Sequence, residues 1–298
     1  MISSSTSGEP IVPPPRWLVR LRSASRRHLT GAIGAVIVGT MIAMAVFAPN
    51  VSGFGPTQQS IRDRLQSPAI TTGSGTHLLG TDSLGRDILS RVAYGARVSL
   101  WVSAAAGLLS CALGVALGLI SGYFGGITDA IIMRLADIQL AIPSLILALA
   151  VIAVLGSSVG NIVLVLVITN WVIFARLVRA EVLSLKEREF VAAINALGAH
   201  TGRILLRHLI PNLAGSIVVV LTLRIGILIL IEATLSYLGL GVQPPTPTWG
   251  SMIAEGQQLV YRAWWVSTFP GVALAVTVLG LNLLGDWLRD RLDPKTSS

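Results

Sequence analysis

Apolar residues gather along this chain in six stretches, and polar residues gather between them. A helix needs about 20 mostly apolar residues to cross a bilayer. The candidates lie at roughly 29–48, 98–120, 138–156, 159–177, 212–231 and 266–288. Only GSSVG, residues 156–160, parts the third from the fourth, which predicts a tight hairpin. On the second stretch Gly114, Gly118 and Gly122 recur every four residues. That spacing puts a strip of small residues on one helix face, where another helix can approach closely. The pattern predicts an all-α integral membrane protein with six transmembrane helices.

Between the fourth and fifth stretches lies a segment of another kind, EREFVAAINALGAHTGRILLRHLIPN, residues 187–212. Phe190, Ile194 and Leu197 recur at helical spacing with Val191 beside them, while Glu187, Arg188 and Asn195 fall elsewhere on the wheel. This predicts a short amphipathic helix. Gly198 follows as a stop, because glycine takes the left-handed conformation cheaply. Thr201 is placed to cap a second helix through Ile204, Leu205 and Leu209, and Pro211 marks the entry to the fifth span. So short a helix is marginal in water. Its apolar face needs a partner, either the ends of the spans or another protein.

Composition supports the membrane reading. Mean hydropathy is +0.74 and only 12% of residues are charged, against about 25% in soluble domains. The net charge of +8 does not point to nucleic acid, because the Lys and Arg residues flank the apolar spans, where they set orientation. Arg16, Arg20, Arg22, Arg26 and Arg27 precede the first span and place the N-terminus in the cytoplasm. Six crossings return the C-terminus inside, in accord with Arg289, Arg291 and Lys295; Arg179, Lys186, Arg188, Arg203 and Arg207 put the 180–211 segment inside as well. The first outer loop dissents with Arg62, Arg64, Arg86, Arg91 and Arg97. Trp101, Trp264 and Trp265 fit an outer aromatic belt, and Trp287 an inner one. MISSSTSGEPIVPPP has no apolar core and reads as a polar tail, not a cleavable signal. The resulting division is a cytoplasmic tail over 1–28, a first span over 29–48, an outer loop with a short helix over 49–97, a five-helix core over 98–288 and a cytoplasmic tail over 289–298.

Local chemistry narrows the function. No G-x-x-x-x-G-K-[ST] occurs, so no phosphate-binding loop is visible. The four histidines lie in or beside polar segments, and the spans offer no Ser/His/Asp arrangement. Cys111 is the lone cysteine, which rules out a disulfide within the chain. A non-catalytic protein without a cofactor of its own is expected. In GTDSLGRD, residues 80–87, Leu84 and Arg86 break the alternation of oxygen ligands that a calcium loop needs. Gly80 and Gly85 read as turns there, and Asp87 as the cap of a short helix through Tyr94. VQPPTPTWG, residues 242–250, carries three prolines and is a rigid outer loop. Arg224 lies 13 residues beyond Pro211, about 20 Å along a helix. A charge at that depth faces a partner or a water-filled cavity.

The 187–212 segment resembles the EAA loop of ABC-importer permeases, matching at Ala193, Gly198, Ile210 and Pro211 and departing at Ala192 and Ile194. Three further stretches resemble the dipeptide/oligopeptide/nickel permease family, in particular its C-type subunit. They are HLLGTDSLGRDILSRVAYGARVSL (77–100), MRLADIQLAIPSLILAL (133–149) and EATLSYLGLGVQPPTPTWGSMIAEG (232–256), the last followed by FPGVALAVTVLGLNLLGDWLRDRLDP from 269. The resemblance implies a bacterial inner-membrane subunit that forms half of a translocation path with a second, homologous permease. It implies two ATP-binding subunits that hold ATP and Mg, and an extracytoplasmic binding protein. Glu189, Phe190, Ala193, Ile194, Leu197, Gly198, His208 and Pro211 would couple this chain to the ATPase. Arg224 is the candidate in the path. The family handles peptides and nickel. With no His in the spans and Met41 and Met44 spaced for packing, short peptides are favoured over nickel. The competing reading is an ATP-independent secondary transporter, a class that usually shows broken helices and mid-membrane charges.

Overall fold

A computed structural model describes residues 16–51, 53–73 and 75–292, with side chains from Leu29 onward. Nine principal helices carry the fold: α1 (Arg16–Val46), α2 (Ile88–Phe124), α3 (Gly126–Leu140), α4 (Ser144–Leu155), α5 (Val159–Lys186), α6 (Glu189–Ala196), α7 (Ile210–Tyr237), α8 (Trp249–Gln257) and α9 (Trp265–Leu292). Helices α1, α2, α5, α7 and α9 are each long and apolar enough to cross a membrane. The sixth crossing differs from the straight span expected over 138–156. Helices α3 and α4 meet at 91°. Pro143 is the physical cause. It has no N–H for the carbonyl of Gln139 and its ring excludes a helical turn there; that carbonyl instead accepts from Ile142 N–H at 3.2 Å. Twelve residues of α4 rise only about 18 Å, so the two halves cross together or not at all.

The seam between α2 and α5 follows from the glycine strip. A Cβ added at Gly114 would collide with the Trp171 carbonyl oxygen, and one at Gly118 would stand 2.6 Å from that of Ala175. Helix α1 lies as closely on α9, where a Cβ at Gly280 would fall 2.5 Å from Ile37. Helices α2, α5 and α7 enclose a core of Val102, Ala106, Ile162, Leu166, Leu228 and Leu235.

Several boundaries shift. Asp87 is the expected cap and accepts from Ser90 N–H at 2.7 Å, but the helix it starts does not stop at Tyr94. It continues as the second span to Phe124, because no breaker interrupts 88–124. Gly80 and Gly85 are turns with φ +77° and +71°. The fifth span runs on to Tyr237, which brings Glu232 inside the helix and fully buries it, with its Oε1 accepting from Ser236 Oγ at 2.8 Å. Trp265 is buried, not part of a belt, and its Nε1 donates to the Thr81 carbonyl at 3.0 Å. Thr201 is not the cap of the helix after Gly198: His200 is, its Nδ1 accepting from Gly202 N–H at 3.1 Å. Nor is that helix separate. Residues 201–237 form one rod through a π-helical stretch, Ile204–Leu209. There Ile210 N–H reaches back five residues to the Leu205 carbonyl. The wider turn makes room for Pro211, whose ring would collide with a carbonyl four residues back.

Candidate functional site

Three groups of residues are candidates, one at each end of the helices and one between. At the first end α6 lies across the C-terminal turns of α5 and the start of the α7 rod. Val191 anchors it, fully buried among Val178, Val182, Leu185, Ile204, Leu209 and Leu213, with Ile194 packed beside it. The apolar face is therefore split. Phe190 and Leu197, expected to share a face with Ile194, turn outward and are 37% and 86% exposed. At 100° per residue Leu197, Phe190, Ile194 and Val191 follow one another across an arc of about 120°, with Val191 at its buried edge and Leu197 at its open edge. Glu189 and Ala193 are exposed with them. The helix closes as Gly198 N–H donates to Asn195 O at 2.9 Å and Ala199 N–H to Ile194 O at 3.3 Å. Gly198 takes φ +75° and has nothing within 4 Å of where a Cβ would stand. This paired closure is the Schellman arrangement. His208 and Pro211 sit on the following rod; the His208 carbonyl accepts from Asn212 Nδ2 at 2.6 Å, and Pro211 is exposed. The structure thus brings Glu189, Phe190, Ala193 and Leu197 to one open surface and turns Ile194 inward.

At the opposite end the loop before α2 is tied to α8 by charges, with Asp82 and Arg91 buried and Glu255 exposed. Arg91 donates to Asp82 at 2.5 Å and to both carboxylate oxygens of Glu255 at 2.6 and 3.0 Å, and Arg86 bridges the same two acids at 2.6 and 2.7 Å. His77 Nδ1 lies 2.9 Å from Asp87 Oδ1. Asp82 and Asp87, weighed above as calcium ligands, are committed to arginine and histidine. Trp249 Nε1 completes the clamp by donating to the Val92 carbonyl at 3.0 Å. The only sequence signal for this cluster is the four-residue spacing of Asp82 and Arg86; Glu255 lies 164 residues from Arg91.

Between the two ends, the break at Pro143 opens a recess of about 210 Å³ against α5 and α7, and Arg224 lines it with Gln139, Ser144, Thr169 and Asn170. Elsewhere the arginines facing α3 are paired. Arg179 holds Asp129 at 2.6 Å, and Arg176 holds Asp137.

The family described as binding-protein-dependent transport system inner membrane component matches residues 114–298. This chain belongs to that family. Among its relatives, the dipeptide transport system permease protein of Alkalihalophilus pseudofirmus is 41% identical over 97% of this chain and 96% of its own length. The di/tripeptide transport system permease protein of Pseudomonas aeruginosa is 42% identical over 90% and 89%. The oligopeptide transport system permease protein of Bacillus subtilis is 42% identical over 91% and 87%. The permease is thus a multi-pass membrane component of a binding-protein-dependent system. A broken helix and a mid-span charge, set down above as marks of a secondary transporter, both occur within this family member and do not separate the two classes.

Proposed function

We propose that this chain is one permease half of an ATP-driven importer of short peptides. The observation that carries the substrate is the identity of 41–42%, over about nine-tenths of the chain or more, to permeases named for dipeptides, tripeptides and oligopeptides. Nickel is the lesser reading, since none of these relatives is named for it. A second, homologous permease completes the path. Two ATP-binding subunits, holding ATP and Mg, dock on the surface of Glu189, Phe190, Ala193 and Leu197, and an extracytoplasmic binding protein delivers peptide at the end that carries the Arg91 cluster. Both termini lie in the cytoplasm. Arg224 lines the path. The exposure of Phe190 and Leu197 supports the docking role, because large apolar groups at an end rich in charge call for a partner.

The test is uptake by the complex reconstituted in vesicles with its own binding protein. Labelled di- to penta-peptides enter only with ATP and compete with one another, and nickel does not enter. ATP-dependent nickel entry that peptides leave untouched would overturn the assignment.

A further inference from the structure

The recess beside Arg224 has a chemistry that a lipid-facing surface cannot carry. Arg224 is half-buried on α7 and has no hydrogen-bond or ion-pair partner among the described residues. An ionised side chain at this depth is costly unless it meets water, a partner or a cavity. The groups around it are not idle packing. Gln139 Oε1 accepts from Trp171 Nε1 at 2.8 Å, which leaves the Gln139 amide N–H groups as donors. Asn170 Nδ2 gives its protons to the Leu166 carbonyl at 2.9 Å and to Thr169 Oγ1 at 3.0 Å, which leaves its carbonyl oxygen as an acceptor.

The break adds a further element. Pro143 starts α4 without any side-chain cap, and Leu147 N–H is the first to find a carbonyl within that turn, at 3.0 Å to Pro143 O. The N–H groups of Ser144, Leu145 and Ile146 are therefore the open end of the helix, with its partial positive charge, and Pro143 and Ser144 border the recess. Residues carrying a guanidinium, a free amide and a helix N-terminus all border one small space. That set of donors fits an anion. The volume, about 210 Å³, is below the roughly 300–1,000 Å³ of pockets that enclose a whole drug-sized ligand. It suits one end of a peptide and not the whole.

We propose that this recess is a station for the C-terminal carboxylate of the transported peptide. Arg224 takes the carboxylate, the Gln139 amide and the first turn of α4 assist, and the Asn170 carbonyl accepts a peptide N–H. The proposal rests on the peptide reading above. It names the one charge that every unmodified peptide carries at its C-terminus, and so accounts for recognition that ignores side chains.

The experiment compares a labelled peptide with its C-terminal amide in the reconstituted complex, each at a concentration that saturates the binding protein, as titrated separately. The wild-type complex imports the acid at least tenfold faster than the amide. Tenfold corresponds to about 1.4 kcal/mol, the low end of a charge-assisted hydrogen bond. In Arg224→Gln the ratio falls to within twofold of unity, and Arg224→Lys, which keeps the charge but not the fork, stands between. Equal import of acid and amide by the wild type overturns the proposal without any variant, so failure of Arg224→Gln to assemble leaves it testable. Loss of both substrates with the ratio preserved, in a complex that assembles, also overturns it. Absence of any ATP-dependent peptide import fails the peptide reading itself, and so the two are told apart.

Discussion

Replacing Gly198 tests whether α6 acts as a shaped docking element. The residue sits at φ +75°, and the space where a Cβ would stand is open to 4 Å. A substitution therefore meets no steric clash, and the whole penalty is conformational. An L-residue held in the left-handed region costs about 1–2 kcal/mol, and a β-branched one more. The eight residues of α6 make a helix that is marginal by itself and held mainly by Val191. A penalty of about 1–2 kcal/mol shifts the closed-to-frayed ratio roughly 5- to 30-fold. Gly198→Val therefore inserts normally but loses most ATP-driven uptake, while Gly198→Asn, which tolerates this backbone, keeps much of it. Hydrogen exchange at the amides of 198 and 199 reads the same event directly, since these two N–H groups close the helix and should lose protection in Gly198→Val alone. Uptake and exchange both unchanged in Gly198→Val would refute the reasoning, because the turn would then carry neither shape nor coupling.

Three further outcomes follow from other parts of the fold. Gly118→Ala drives a Cβ to 2.6 Å from a backbone oxygen and lowers stability by about 1–3 kcal/mol, whereas Gly39→Ala, with nothing within 4 Å, stays neutral or gains up to about 1 kcal/mol; thermal denaturation of the purified complex separates them, and equal effects would refute a tight α2–α5 seam. Arg91→Gln removes the guanidinium shared by Asp82 and Glu255 and costs about 1–3 kcal/mol, less than an orphaned buried charge, since Arg86 still serves both acids; a loss under about 0.5 kcal/mol in the same assay contradicts this. Topology reporters after Gly73 and Ser184 give opposite signals if six crossings separate the ends as proposed, and identical signals exclude that arrangement.

Element type was legible in the sequence wherever one physical effect dominated. Long apolar runs located five of the crossings, the glycine spacing announced the α2 seam, and Asp87 announced its cap. What escaped was set by neighbours distant in sequence. Val191 and Phe190 are adjacent apolar residues on one short helix, and only the packed ends of α5 and α7 decide that the first is buried and the second exposed. The 212–231 run stops one residue short of Glu232, which the structure buries inside the helix. The break at 141–143 could have been read, since Pro143 lies inside the apolar run; hydropathy summed over the run hid it, because a bent helix and a straight one bury the same residues. The recess arises from that bend and so was missed with it, although Arg224 itself stood out.

The way polar groups are satisfied separates what holds this permease together from what works in it. The Asp82, Arg86, Arg91 and Glu255 cluster at one end and the Asp129–Arg179 pair near the other each close on themselves. They tie neighbouring elements together through their own charges. The outward side of α6 and the recess at Arg224 are left open. One element joins them. The rod from Thr201 to Tyr237 is 37 residues without a break, about 55 Å long. Its first turns, at Ile204, Leu209 and Leu213, form the floor on which Val191 rests, and its middle carries Arg224. A packed floor transmits displacement because its side chains cannot be compressed. Under the proposed function a force on α6 would reach the helix that positions the guanidinium, and the facing wall of the recess is built on the α3–α4 break. Any displacement of the rod relative to that wall would change the width of the recess. Under the proposed function, a station for the carboxylate placed there would open and shut with the motion that drives transport.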